Sequence, residues 1–206
     1  MLKTFILILT HSKSEFMNLH REKFMRDNKD RFIFFYFIGD LSLDSDYKID
    51  LDNNIIYLKV PDNYESLSLK VYNGIKFIVD NYEVSGIFKT DDDIDLDLDK
   101  IESHINENYK CGYFGNVNET THYESEHHFG KCESEELNSK RVFVPASTYC
   151  SGGGYYLSID NAKMILNNRE IFYTHIYEDM CVGLALNENN IFPKHIDIKN
   201  NGCIWE

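Results

Sequence analysis

Four compact apolar runs shape the first half of the chain: "TFILILT" from Thr4 to Thr10, "RFIFFYFIG" stopped by Gly39, "NNIIYLKV" closed by Pro61, and "VSGIFKT" ending at Thr90. Runs of this length that end in polar residues, Gly or Pro read as buried strands. Helical spacing fills the gaps between them. Phe16, Leu19, Phe24 and Met25 recur at helical intervals behind Ser14, a candidate cap. From Tyr64 to Tyr82, Leu67, Val71, Ile75, Ile78 and Val79 mark a long amphipathic helix. Strands alternating with helices predict an α/β fold with a mostly parallel central sheet flanked by helices.

The length of 206 residues predicts one domain or two closely merged halves. With 43% hydrophobic and 14% aromatic residues the chain can fill a core of that size. A formal charge of −13 excludes nucleic acid as the main partner, because neutralising phosphates needs an excess of Lys and Arg. No segment reaches the ~18 apolar residues of a membrane span. "MLKTFILILT" runs into "HSKSEF" without a small-residue cleavage site, so it reads as a first strand rather than a leader. Cys111, Cys132, Cys150, Cys181 and Cys203 show no CxxC spacing. They read as reduced thiols, and the expected location is cytoplasmic.

Three carboxylates, Asp91, Asp92 and Asp93, stand directly behind the fourth apolar run. In open α/β sheets ligands bind at the carboxyl ends of strands. Adjacent like charges at such an end repel one another unless a cation joins them. Mg²⁺ or Mn²⁺ needs only one or two carboxylates plus phosphate oxygens and water. A calcium loop is the rival reading, with Asp91, Asp93, Asp95 and Glu102 at positions one, three, five and twelve. Leu96 then occupies the place where the sharp turn needs Gly.

The second half is less regular. "CGYFGNV" reads as a strand, and residues 118–140 as a flexible polar loop. His122, His127, His128 and Cys132 in that loop lack the spacing of a zinc site. "CSGGGYYLS" reads as a Gly-rich turn feeding a helix at 159–167. Glu178 and Asp179 enter an apolar helix, and "NIFPKHIDI" is strand-like.

Taken in order, four motifs resemble the β-1,3-galactosyltransferase family, which includes β-1,3-N-acetylglucosaminyltransferases and is related to Fringe. They are Asp62, Tyr64, Leu67, Ser68, Leu69 and Lys70; Lys89 with Asp91 to Asp93; Tyr149, Gly152, Gly154 and Tyr155; and Glu178, Asp179 and Gly183. Ser66 stands where the family has Asn, and Met180 where it has Val.

The resemblance implies a glycosyltransferase A-type nucleotide-sugar-binding fold. Residues 1–93 would be mainly the nucleotide-binding half and 94–206 mainly the acceptor side. It further implies a UDP-sugar donor, a glycan or glycoprotein acceptor, Mn²⁺ or Mg²⁺, and inversion at the anomeric carbon. Asp93, Asp91 and His195 would ligate the metal, His195 being the only His after Glu178 and Asp179. Asp91, Asp92 and Lys89 would serve the donor. Gly152, Gly153, Gly154, Tyr155 and Glu178 would shape the substrate site, the glycines letting backbone pass close to sugar. Asp179 would take the proton of the attacking hydroxyl. The competing class is a non-catalytic sugar-binding or calcium-binding module using the same acidic loop.

Overall fold

The computed structural model describes residues 2–198, apart from the side chains of 18–20, and the backbone of 203–205. The side chains of Leu19 and Cys203 lie outside the described residues. In chain order the elements are β1 (Thr4–Leu9), α1 (Phe16–Asn28), β2 (Phe32–Gly39), β3 (Tyr47–Asp50), β4 (Ile55–Leu58), α2 (Leu67–Asn81), β5 (Gly86–Asp91), β6 (Ile94–Leu96) and α3 (Leu98–Asn108). There follow β7 (Tyr113–Thr120), β8 (Tyr123–Ser125), β9 (Val142–Val144), β10 (Ser147–Ser158), α4 (Ile159–Ile165), α5 (Arg169–Thr174), α6 (Glu178–Asn187), β11 (Lys194–His195) and β12 (Cys203–Trp205).

All six residues of β1 are buried, because the strand lies in the middle of a covered sheet. The eight-stranded order is β11-β7-β10-β5-β1-β2-β4-β3. Strands β4, β2, β1 and β5 run parallel, β10 runs against both β5 and β7, and β3 closes one edge antiparallel to β4. The period of two along each strand sorts side chains between two cores. Phe5, Leu7, Phe35 and Phe37 pack with Val71, Ile75 and Ile78 of α2 and with Val182 and Leu186 of α6. Ile6, Ile8, Phe34 and Tyr36 face the opposite side, against Phe24 of α1 and Leu98, Ile101 and Ile105 of α3. The expected α/β architecture is the observed one.

"CSGGGYYLS" is not a turn. It lies within the twelve-residue β10, whose register against β7 jumps between Cys150 and Tyr155. Glycines inside a strand mark a bulge or a close backbone approach, and here they mark both. Residues 118–140 are not a free loop either. Strand β8 pairs with β9, the Glu65 carboxylate accepts from the backbone N–H groups of Glu133 and Ser134 at 3.1 Å each, and the His128 side chain is fully buried.

The path of the chain positions the site. From β1 it moves to β2 on one side, and later returns as β5 on the other. The crevice between the carboxyl ends of β1 and β5 is therefore a topological switch point, where ligands of such sheets bind. Leu9 pairs with Asp91 at that end, so the acid triplet begins where the crevice opens. Among the described residues no helix is long and apolar enough to cross a membrane.

Candidate active site

A cleft of about 1170 Å³ opens over the switch point. Asp91, Asp92 and Asp93 line it together with Thr10 and His11 from the end of β1, and Asp62 and Tyr64 before α2. Tyr149 to Gly153 of β10 and Tyr177 to Asp179 at the start of α6 complete it from the second half of the chain, Cys150 excepted. The structure thus brings the four sequence motifs to one place.

Two buried lysines hold the cleft's frame. Lys70, 1% exposed, donates to Asp62 Oδ1 at 2.7 Å and to the Thr10 carbonyl at 2.8 Å. Asp62 also accepts from Ser12 N at 2.8 Å and Gly39 N at 3.0 Å. One ion pair therefore ties the ends of β1 and β2 to α2. Lys89, also 1% exposed, donates to Asp91 Oδ1 and to the Gly152 carbonyl, each at 2.7 Å, and to Glu178 Oε1. Burial alone would depress the Lys89 ammonium, but Asp91 and Glu178 beside it prevail and hold it charged. With its donors engaged in the protein, Lys89 positions carboxylates from beneath the cleft; it has no free face for a donor substrate.

The three aspartates have separate environments. Asp91 pairs with Lys89. Asp92 Oδ2 accepts from Thr10 Oγ1 and from Ser14 Oγ, so Ser14 joins the triplet to the start of α1, besides accepting from Phe16 N at 3.3 Å. Asp93 Oδ1 is buried without a hydrogen-bond partner. Burial first, then the charges of Asp91 and Asp92, lift the Asp93 carboxyl above the ordinary range. A buried, unpaired carboxylate oxygen between like charges lacks the positive partner that its surroundings call for.

The two acids at the start of α6 also diverge. Glu178, 7% exposed, gives one oxygen to Lys89 and accepts from Tyr155 Oη at 3.2 Å with the other. Burial pushes it up to about 7 despite Lys89. Asp179 Oδ2 accepts from Gly152 N at 3.2 Å and Oδ1 from Met180 N at 2.8 Å, while the carboxylate lines the cleft. Burial raises its pKa as well. Gly152 has no room for a side chain, since a Cβ there would stand 2.5 Å from Glu178 Oε1 and 3.2 Å from Lys89 Nζ. Gly153 contributes its carbonyl, accepting from Thr90 Oγ1 at 2.9 Å. The Gly154 carbonyl lies 2.9 Å from where a Cβ of Gly115 would stand, so those strands meet backbone to backbone.

One expected ligand and one rival grouping are not gathered here. His195 lies in β11, opposite Gly115, which is opposite Tyr155, which is opposite Lys89. Three strand spacings separate it from β5, roughly 14 Å. Its Nδ1 accepts from Val117 N at 3.2 Å, and it does not line the cleft. The calcium-loop acids are dispersed too, because Asp95 pairs with Lys23 and Glu102 with Arg31 on other elements. The motif that contains Asp62 and Lys70 assigns neither a task, and His128 stands in the sequence only among residues that lack zinc spacing. A lysine inside an apolar helical stripe was the available signal for Lys70.

Among the described residues no three His, Cys, Asp or Glu side chains form a cage for a metal by themselves. The donor set fits a hard cation that completes its shell with ligand oxygens and water, as Mg²⁺ and Mn²⁺ do. Charge favours the same fit. Asp62, Asp91, Asp92, Asp93, Glu133, Glu178 and Asp179 line the cleft against Lys13, Lys70 and Lys131, and Lys70 is already paired. A diphosphate entering there meets net repulsion unless a cation accompanies it.

A family model described as Galactosyltransferase matches residues 20–197, a span that contains all four motifs. Among solved structures, the inositol-1-phosphate CTP transferase from T. maritima is similar in fold, with a TM-score of 0.54 and 9% identity over 100% of this chain and 89% of that one. HddC from Yersinia pseudotuberculosis aligns at a TM-score of 0.48 and 14% identity, over 94% of this chain and 90% of that one. A comparison with curated proteins returns no match. With the family match, the fold and cleft are those of a glycosyltransferase, an enzyme that moves a sugar from a donor to an acceptor. The chain belongs to the galactosyltransferase family.

Proposed function

We propose that the chain transfers a hexose, galactose or N-acetylglucosamine, from a UDP-sugar to a hydroxyl of a glycan or glycoprotein acceptor, with inversion and a β-1,3 linkage. The observation that carries this reading is one cleft holding both Asp93, with its unpaired buried oxygen, and the Asp179 carboxylate. Asp93 and Asp91 would hold Mn²⁺ or Mg²⁺, with diphosphate oxygens and water completing the shell. Bound there, the cation supplies Lewis-acid stabilisation of charge on the departing phosphate.

The chain's own residues do the rest. Lys89 fixes Asp91 and Glu178 at once, so the metal-side and base-side walls keep their spacing. Asp179 takes the proton of the acceptor hydroxyl as the new bond forms. Its raised pKa makes it a stronger base than a solvated aspartate. Glu178 is held instead by the buried Lys89 ammonium and the Tyr155 hydroxyl, whereas Asp179 meets only backbone N–H groups. Two neighbouring acids thus receive different tasks from different surroundings.

The test is transfer and hydrolysis across UDP-galactose, UDP-N-acetylglucosamine and UDP-glucose, with Mn²⁺ and after chelation. Asp179→Asn should keep UDP affinity and lose transfer by ~10²-fold or more. Wild-type transfer in that variant would place the base elsewhere.

A further inference from the structure

Around Asp179 the cleft wall changes from carboxylate to tyrosine. Gly183 lies one turn after Asp179 on the same face of α6. A Cβ on Gly183 would stand 2.8 Å from the Thr148 carbonyl and closer still to Tyr149 Cβ. Bare backbone therefore lets β10 press Tyr149 against the Asp179 face of the helix. Burial pushes the Tyr149 hydroxyl up to about 12, and the Asp179 and Tyr123 groups add to the shift.

Tyr177, just before α6, connects that face to the segment opposite. Its hydroxyl lies 2.8 Å from His128 Nδ1 and 2.8 Å from Ser125 Oγ. His128 Nε2 meets only the carbonyls of Leu137 and Lys140, at 2.8 and 3.1 Å, so that nitrogen carries the proton. The fully buried His128 thus clips the segment bearing β8 to the helix bearing Asp179. Tyr123 of β8 stands opposite Val144 of β9, and cross-strand partners share a face. Tyr123, Ser125 and Val144 all line the cleft, and Tyr123 is 43% exposed at its mouth.

We propose that Tyr123 and Tyr149, with Tyr177 clipping the β8 segment to α6, form an acceptor subsite for an uncharged pyranose, whose apolar ring face packs on Tyr123. This rests on the reading of Asp179 as the base, because the attacking hydroxyl must reach that carboxylate. An aromatic ring buries the C–H face of a sugar while phenolic groups at its edge meet hydroxyls. Glu133, Glu178 and Asp179 along the same cleft disfavour an acceptor with its own carboxylate. Lys131, the cation on this side, is held 5.4 Å over the Tyr64 ring with its ammonium 3.0 Å from His127 Nε2.

Methyl β-galactoside, methyl β-N-acetylglucosaminide and methyl β-glucuronide would be titrated by ligand-observed NMR, with UDP and Mn²⁺ present and absent. At least one neutral glycoside should bind, with the glucuronide about tenfold or more weaker. Tyr123→Ala should weaken neutral glycoside binding about tenfold, and Tyr123→Phe should retain it. Equal binding of the glucuronide overturns the proposal, as does unchanged affinity in Tyr123→Ala or no glycoside binding at all. The selectivity is read on the unaltered protein, so it stands independently of how the variants fold. A separate UDP titration reads the donor side, so failure of this subsite and failure of the donor reading are distinct results.

Discussion

Lys89 and Glu178, 89 positions apart in the chain, form a buried ion pair that joins the central strand β5 to the first turn of α6. The same ammonium reaches Asp91, so one cation braces the acids on both sides of the cleft.

Removing that cation should cost far more than a surface pair would. In Lys89→Met, the buried Glu178 and the half-buried Asp91 lose their counter-charge. The expected destabilisation is about 3–5 kcal/mol, read as a lower urea midpoint with an unchanged slope. Adding Glu178→Gln removes one of the stranded charges and should restore part of the loss. A double variant no more stable than Lys89→Met would mean the two residues are not coupled.

The same cluster sets a pH dependence for the metal-free protein. Burial raises Glu178 from 4.5 to about 7, and it raises Asp179 and Asp93 in the same direction. A carboxyl with a raised folded pKa binds its proton more tightly when folded. Its contribution to stability is complete below the unfolded value and is lost as pH rises through the folded one. Lys89 is also raised, so its own contribution fades only above its ordinary 10.5. Asp62 is lowered by Lys70 against the effect of its burial, and that contribution is lost only as pH falls below about 3.8. Burial lowers His175 from 6.5, which opposes the trend as pH rises, but the three raised acids prevail, so between pH 4.5 and 7 stability should fall by on the order of 1–3 kcal/mol. Thermal scans without metal should show a declining Tm across this window, and Glu178→Gln should flatten it. A Tm that climbs toward pH 7 would contradict the assignment.

How much of this was legible in the sequence depended on the side chain. Runs such as "TFILILT" announce buried strands because apolar residues on both faces leave few alternatives. The site of Asp91 to Asp93 follows from that reading, since acids behind such a run must stand at a strand end. β10 was not legible. Three glycines in "CSGGGYY" look like punctuation, and the cause at Gly152 is crowding by Glu178 and Lys89, residues distant in sequence. Ser14 looked like an ordinary cap, but its hydroxyl also serves Asp92. His128 sits in a polar run beside His127, and nothing local distinguishes the buried ring from its exposed neighbour. His195 shows the limit of order along the chain, because strand order in the sheet decides which residues meet.

Metal binding should separate Asp93 from His195. Asp93 is lifted by burial and by two like charges, so Asp93→Asn relieves repulsion while keeping the side chain's shape. Without metal the variant should melt at or above the wild-type temperature, a gain in stability at a functional position. Mn²⁺ at about 100 times its dissociation constant stabilises a folded protein by ~2.7 kcal/mol through mass action. The wild-type Tm should rise accordingly, and Asp93→Asn should lose most of that rise together with Mn²⁺-dependent UDP binding. His195→Ala should keep both, because its ring hydrogen-bonds Val117 at the far side of the sheet. A full Mn²⁺ shift in Asp93→Asn would remove the acid triplet as the metal site. A shift lost in His195→Ala would mean that β11 moves toward the triplet when the cation binds.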